Sequence, residues 1–170
     1  PRYVNFTAEL CVHSRSKRTG CRRCLDLCPT GAITPDGDHV RINAEICAGC
    51  GQCAAACPTG AAAYTLPPAD NLMHKLRAML LAYRRAGGTD AVVLLHDGDH
   101  GAALIDALAR HGDGLPANVL PLAVNEVTQV GLEAVAAGFA HGATALRFLL
   151  RARPKHDPVG LAQTIAMAEA

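Results

Sequence analysis

Tryptophan is absent from the chain, and phenylalanine and tyrosine contribute only three residues each. A core must therefore be filled by Ala, Leu and Val. Neither sign of charge is in excess: 16 Lys and Arg stand against 15 Asp and Glu, a net charge of +1. Bulk electrostatics thus point to neither nucleic acid nor an anionic membrane surface. No apolar run approaches the length of a membrane span, and no DNA-binding element stands out. Cysteine is missing from Pro58 onwards.

Against these absences stands one excess. All eight cysteines lie between Cys11 and Cys57. An even count suits disulfides in a secreted chain with a leader. This sequence opens at Pro1 without a leader-like stretch, as a processed product or a piece of something longer would. It reads as cytoplasmic, where thiols stay reduced and clustered cysteines usually hold metal. A length of 170 residues allows one ordinary domain or two small ones.

The cysteines fall in two copies of one unit. Cys21, Cys24 and Cys28, shifted by 29 residues, land on Cys50, Cys53 and Cys57, and Pro29-Thr30-Gly31-Ala32 lands on Pro58-Thr59-Gly60-Ala61. The second copy, from Cys47, is a complete C-x2-C-x2-C-x3-C-P run. In the first copy the position equivalent to Cys47 is Arg18, and the nearest free cysteine is Cys11, across the basic stretch "VHSRSKRTG". Two residues between cysteines let a tight turn aim successive sulfurs at neighbouring corners of one cube. Proline after the last cysteine redirects the chain. Gly49 and Gly51 permit close backbone approach, leaving N–H groups free for sulfur. Structural zinc is the competing reading, but it needs four ligands per ion and no cross-strapped fourth cysteine followed by proline.

These runs resemble the bacterial two-cluster [4Fe–4S] ferredoxins over roughly Arg2 to Leu66. The resemblance implies two [4Fe–4S] clusters. Cluster I would use Cys11, Cys21, Cys24 and Cys57; cluster II would use Cys28, Cys47, Cys50 and Cys53. Cys11 departs from the regular spacing, and the alternative for it is a free thiol beside a three-cysteine, [3Fe–4S] centre. A detour of this length closes at little entropic cost. His13, Arg15, Lys17, Arg18, Arg22 and Arg23 gather around it, either as a docking patch for an acidic partner or as a solvated loop. Between the runs "AITPDGDHVRI" reads as strand, Pro-Asp-Gly turn, strand, and "RYVNF" and "AAAYT" are expected to pair. So small a segment buries little core, so bound clusters should supply much of its folding energy.

The rest is organised differently. A Pro-rich linker from Thr65 ends at Asn71, an N-cap candidate for a helix with Leu72, Met73, Leu76, Met79, Leu80 and Tyr83 on one face. From Asp90, "AVVLLH", "NVLPLAV" and "TALRFLL" read as buried strands. "GAALIDALARHG", "EVTQVGLEAVAAGFAHGA" and "DPVGLAQTIAMAEA" read as helices. The expected fold is an α+β ferredoxin-like two-cluster domain (1–66), a linker and amphipathic helix (67–88), and a small α/β domain with a three-strand parallel sheet (89–170). "HDGDHG" sits where a strand meets a helix. His96, Asp97, Asp99 and His100 are conceivable metal ligands there, although a turn with Asp99 capping the next helix is favoured. His111 and His141, each before a glycine at a helix end, read as C-cap residues.

The stretch "LPANVLPLAVNEVTQVGLEAVAAGFAHGATAL" weakly resembles the delta subunit of methyl-viologen-reducing hydrogenases. That family carries cysteines for a further cluster, and this half has none, so the resemblance implies a docking fold without the cofactor. A looser resemblance links the whole arrangement to iron–sulfur proteins accompanying formate dehydrogenases. The function these likenesses imply is single-electron transfer to a redox partner protein, such as a formate dehydrogenase or hydrogenase, without nucleic acid or a membrane span. The alternative is an iron–sulfur subunit of an oxidoreductase with an active or cofactor site in the α/β half. No catalytic residues are assigned.

Overall fold

The computed structural model describes residues 2–15 and 18–170, and of Arg15 the backbone only. In chain order the elements are β1 (Val4–Phe6), β2 (Ser14–Arg15), β3 (Arg18–Thr19), α1 (Arg23–Leu27), β4 (Ile33–Asp36), β5 (His39–Ile42), α2 (Gln52–Ala55) and β6 (Ala62–Tyr64). They continue with α3 (Ala69–Arg85), β7 (Val92–Asp97), α4 (His100–His111), β8 (Val119–Val124), α5 (Leu132–Ala140), β9 (Ala145–Leu149) and α6 (Val159–Glu169). Short 3-10 turns cover Ala8–Leu10 and Val127–Gln129. The chain divides into two compact units, one comprising the residues up to Pro68, Thr128–Leu132 and His156–Ala170, the other Ala69–Val127 and Glu133–Lys155.

In the first unit β1 and β6 pair antiparallel, with Val4 opposite Tyr64 and Phe6 opposite Ala62. β4 and β5 form a hairpin, Ile33 opposite Ile42 and Asp36 opposite His39. Its loop is Gly37-Asp38, with Gly37 at φ +65°, so Pro35 lies within β4 rather than in the turn expected from the sequence. A two-stranded ribbon has free edges, where a missing N–H does no harm. The internal repeat survives as geometry. α1 and α2 begin 29 residues apart, at Arg23 and Gln52, and so do β4 and β6, at Ile33 and Ala62. The apolar centre holds Ile33, Val40 and Cys53, packed against Val4, Phe6, Leu25, Ile42 and the half-buried thiols of Cys11, Cys24 and Cys28.

Two segments that the sequence reading assigns to the α/β half belong to this unit instead. Residues 126–143 read as one helix, yet only Leu132–Ala140 is α-helical. Val127, Thr128, Val130 and Gly131 are weak helix formers, and Val127, Thr128, Gln129 and Val130 are buried. Thr128 Oγ1 donates to the Cys50 carbonyl at 2.6 Å, and packing overrides the helical period. α6 buries Gly160, Leu161 and Thr164, and its Gly160 N–H donates to the buried Gln52 side chain at 3.0 Å.

The second unit is built on a three-stranded parallel sheet of order β8-β7-β9, with Val92 opposite both Val119 and Ala145. Central β7 buries Val93 and Leu95 completely. α3 buries Leu72, Leu76 and Leu80, spaced four apart, while Met73, Met79 and Tyr83 are half-buried. It begins at Ala69, which puts Asn71 inside the first turn rather than at the cap. Close helix–sheet approach needs small residues: a Cβ on Gly101 would meet His96 Cβ at 2.6 Å, and one on Gly138 would meet the Leu146 side chain at 3.1 Å.

At the carboxyl end of β7 the "HDGDHG" turn is occupied by its own neighbours. Asp97 Oδ1 accepts the N–H groups of Asp99 and Gly101 at 3.0 and 2.9 Å, whereas Asp99, expected to cap α4, makes no capping bond. Arg151 donates to Asp97 and Asp99 at 3.0 and 3.1 Å, and Lys155 reaches Asp99 at 3.1 Å. The His96 ring is bonded through Nδ1 to the Asp97 carbonyl. α4 ends at His111 with Gly112 as C-cap, and His141 lies just past the end of α5, where its carbonyl accepts from Arg84 at 3.1 Å.

Burial alone would raise the Asp97 pKa, but the Gly101 N–H, the Arg151 guanidinium and the His100 N–H together hold it below its ordinary 3.8. A carboxylate with a depressed folded pKa stabilises above its unfolded pKa, and that contribution is lost as pH falls through the folded value. Asp97→Asn should therefore cost this unit about 1–3 kcal/mol at neutral pH, because it keeps an Oδ1 acceptor for the Asp99 and Gly101 N–H groups but removes the charge that pairs with Arg151. The deficit should shrink as pH falls below about 4. Urea unfolding followed through the amides of β7 checks both. A pH-independent deficit would assign the cost to lost packing.

Candidate metal centre

The eight cysteines are free thiols, Cys53 buried and the others partly buried. They do not spread evenly through the first unit. One small cavity is lined by Cys11, Cys21, Cys24 and Cys57, with Phe6, His13 and Val40 around them. A second is lined by Cys28, Cys47, Cys50 and Cys53, with Val4, Leu27 and Ile33. Both are small and partly open to solvent. Cys28 and Cys57 each close the cavity opposite to their own run. Across the outer side, a wider groove between β1 and β5 takes in only Cys47 of the eight.

The detour between Cys11 and Cys21 is an ordered ribbon at both ends. β2 pairs with β3, Ser14 opposite Thr19 and Arg15 opposite Arg18. At its base the N–H groups of Gly20 and Cys21 donate to the carbonyls of His13 and Val12, at 2.7 and 3.1 Å. His13 does not belong to the exposed basic patch. It is 6% exposed, and its Nδ1 is bonded to the Cys21 carbonyl at 2.8 Å. The ribbon thus folds out and returns, leaving Cys11 on the same cavity as Cys21. Arg18, the residue equivalent to Cys47, is exposed on β3, as are Arg22 and Arg23. Lys17 and the Arg15 side chain lie outside the described residues.

The second site is held more deeply. Gly49 and Gly51 both have left-handed φ, +75° and +76°, which a side chain disfavours. A Cβ on Gly51 would also meet Gln129 Cβ at 2.5 Å, and one on Gly49 would press into the Tyr3 ring. Tyr64 donates its hydroxyl to the Gly49 carbonyl at 2.6 Å, and Thr128 holds the Cys50 carbonyl. These bonds fix the backbone through the C-x2-C-x2-C turn.

Burial and neighbouring thiols set the electrostatics of both sites. Burial pushes the Cys24 thiol up to about 11, and the charges of Cys21, Cys11 and Cys57 push the same way. Burial pushes Cys53 up to about 12, reinforced by Cys50, Cys47, Cys24 and Cys28. Cys50 is also raised by burial, opposed by the backbone and carboxamide of Gln52. Cys57 is lowered: burial works against it, but the N–H groups of Ala62 and Thr59 and the Thr59 hydroxyl prevail. The repeat places a hydroxyl beside each crossing thiol, Thr30 Oγ1 at 3.8 Å from Cys28 Sγ and Thr59 Oγ1 at 3.7 Å from Cys57 Sγ.

Among the described residues no three His, Cys, Asp or Glu side chains converge tightly enough for one bare ion. Four thiols set around a cavity present a different donor set, suited to the corners of a cube. The family model described as a 4Fe-4S dicluster domain matches residues 17–61. That region is an iron–sulfur, ferredoxin-type domain. The match spans seven of the eight cysteines and begins after Cys11. No curated protein and no solved structure matches the chain.

An iron–sulfur electron-transfer domain implies a redox partner, and no helix among the described residues is long and apolar enough to cross a membrane. Sequence reasoning found the thiols but missed several residues that seat them: His13, Tyr64, Thr128 and Gln52. Thr30 and Thr59 carried a signal, since they recur at the same offset after each crossing cysteine.

Proposed function

We propose that the chain is an electron carrier, or the electron-transfer subunit of an oxidoreductase system, with two [4Fe–4S] clusters. Cys11, Cys21, Cys24 and Cys57 would hold one, and Cys28, Cys47, Cys50 and Cys53 the other. The observation that carries this reading is the sorting of eight thiols into two cavities of four, with Cys28 and Cys57 exchanged between the runs. When bound, each cluster supplies a reversible one-electron store. The chain's own residues fix the thiols, exclude water from Cys53, and direct N–H and hydroxyl groups at Cys57 and Cys28. The sheet-bearing unit then serves as a docking platform. Ion pairs among Asp97, Asp99, Arg151 and Lys155 fill its strand-end turn, which favours docking over a cofactor site there. The partner class that the sequence likenesses favour is a hydrogenase or a formate dehydrogenase.

Anaerobically prepared protein should contain about eight irons and eight sulfides per chain, with broad visible absorbance that bleaches under dithionite. About four of each would reduce the reading to one cluster. Zinc in place of iron would sink it.

A further inference from the structure

The repeat equates Gln52, the first residue of α2, with Arg23, the first of α1. Arg23 is exposed. Gln52 is 1% exposed, locked between the second and third cysteines of its run. Its Oε1 accepts the Gly160 N–H at 3.0 Å, which fixes which way round the carboxamide lies. Gly160 is shaped for this contact, since a Cβ there would meet Oε1 at 2.5 Å. The other end of the carboxamide is left over: Nε2 is buried and has no hydrogen-bond partner among the described residues. An orphaned buried donor carries an uncompensated desolvation cost. That cost vanishes if the site's working state supplies an acceptor.

Gln52 stands two residues after Cys50 and one before Cys53 in the run that lines the second cavity, so its free, buried Nε2 lies within the ligand turn. A protonated thiol is a weak acceptor, whereas a thiolate bound to iron accepts a charge-assisted bond. We propose that Gln52 is an N–H donor to the thiolate of Cys50, and that through it the second site has a higher reduction potential than it would otherwise have. The proposal rests on the two-cluster reading above. The direction follows from charge: reduction adds an electron, and an N–H dipole aimed at the sulfur favours the more negative state. At the first site the equivalent residue is Arg23, an exposed side chain at the rim of that cavity rather than a buried carboxamide. A second buried carboxamide, Gln129, also lacks partners at both Nε2 and Oε1, and its backbone lies against Gly51. Its Nε2 is the competing source of an N–H bond to the second site.

Gln52→Met keeps the length and removes the donor. In an EPR-monitored redox titration, the reduced-to-oxidised ratio of one cluster at fixed potential should fall about tenfold, equivalent to ~59 mV for one electron. The other cluster should not move, and iron content should be unchanged. A second measurement does not depend on the variant assembling. The chain has three glutamines, Gln52, Gln129 and Gln163. Side-chain 15N labelling of glutamine should give a nitrogen coupling to one reduced cluster in the parent, retained in Gln129→Met. Absence of that coupling in the parent, or its loss in Gln129→Met, overturns the assignment to Gln52. Two clusters with potentials that Gln52→Met leaves in place also overturn it, while the two-cluster reading stands. A parent without two four-iron centres removes both.

Discussion

Replacing Cys11 by alanine should strip iron from one site and leave the other site's EPR signal intact. The parent should carry about eight irons, and the variant between about four and seven, according to whether that cluster is lost or survives with three irons. The reasoning is geometric. The ribbon β2–β3 is pinned at its base by His13 and by the N–H groups of Gly20 and Cys21, which sets Cys11 on the cavity shared with Cys21, Cys24 and Cys57. Holding these ends together makes the length of the excursion nearly irrelevant. Arg18 occupies the regular position by sequence, but it is exposed on β3. Adding Arg18→Cys to the Cys11→Ala variant should therefore not restore the lost iron. Equal iron counts and spectra for Cys11→Ala and its parent would mark Cys11 as a spectator.

What could be read from the sequence divides along contact distance. The cysteine spacing is a local code, each C-x2-C a single turn, and the 29-residue offset relates its two copies without any tertiary information. The β4–β5 hairpin and the parallel strands β7, β8 and β9 are legible for the same reason, as short runs bounded by turn residues or alternating with helices. The contacts that close the second site are of another kind. Thr128 reaches back 78 residues to Cys50, and Gly160 reaches back 108 residues to Gln52. Neither leaves a periodic trace. Helical patterning at 126–143 was the dominant local signal there, and burial of Val127, Thr128 and Val130 overrode it. His13 was obscured differently: it stands among basic residues, and only its burial separates it from them.

Removing the metal should unfold the first unit and spare the second. The buried centre of the ferredoxin-type part is Ile33, Val40 and Cys53, and much of what packs around it is thiol: Cys11, Cys24 and Cys28. The two thiol-lined cavities adjoin it. Without a bound group, the thiols lining these cavities lose their packing partners on one side, and few apolar side chains remain to offset chain entropy. Structural zinc in zinc-finger peptides contributes about 10–16 kcal/mol, as much as the entire stability of an ordinary domain at about 5–15 kcal/mol, and metal binding to this unit should act in the same direction. The second unit has its own core in α3 and β7, where Leu76, Val93 and Leu95 are fully buried. Hydrogen exchange after chelation under anaerobic conditions should therefore show protection collapsing in β1, β4, β5 and β6 while β7, β8 and β9 keep theirs. α6 is the discriminating element. Its sequence follows the sheet, but its Gly160, Leu161 and Thr164 are buried in the first unit, so its amides should lose protection with β6 rather than survive with β9. Survival of α6 alongside the sheet would mean that it draws its stability from the second unit. Unchanged protection in β4 and β5 would mean that the protein chain alone supports the fold around the thiols.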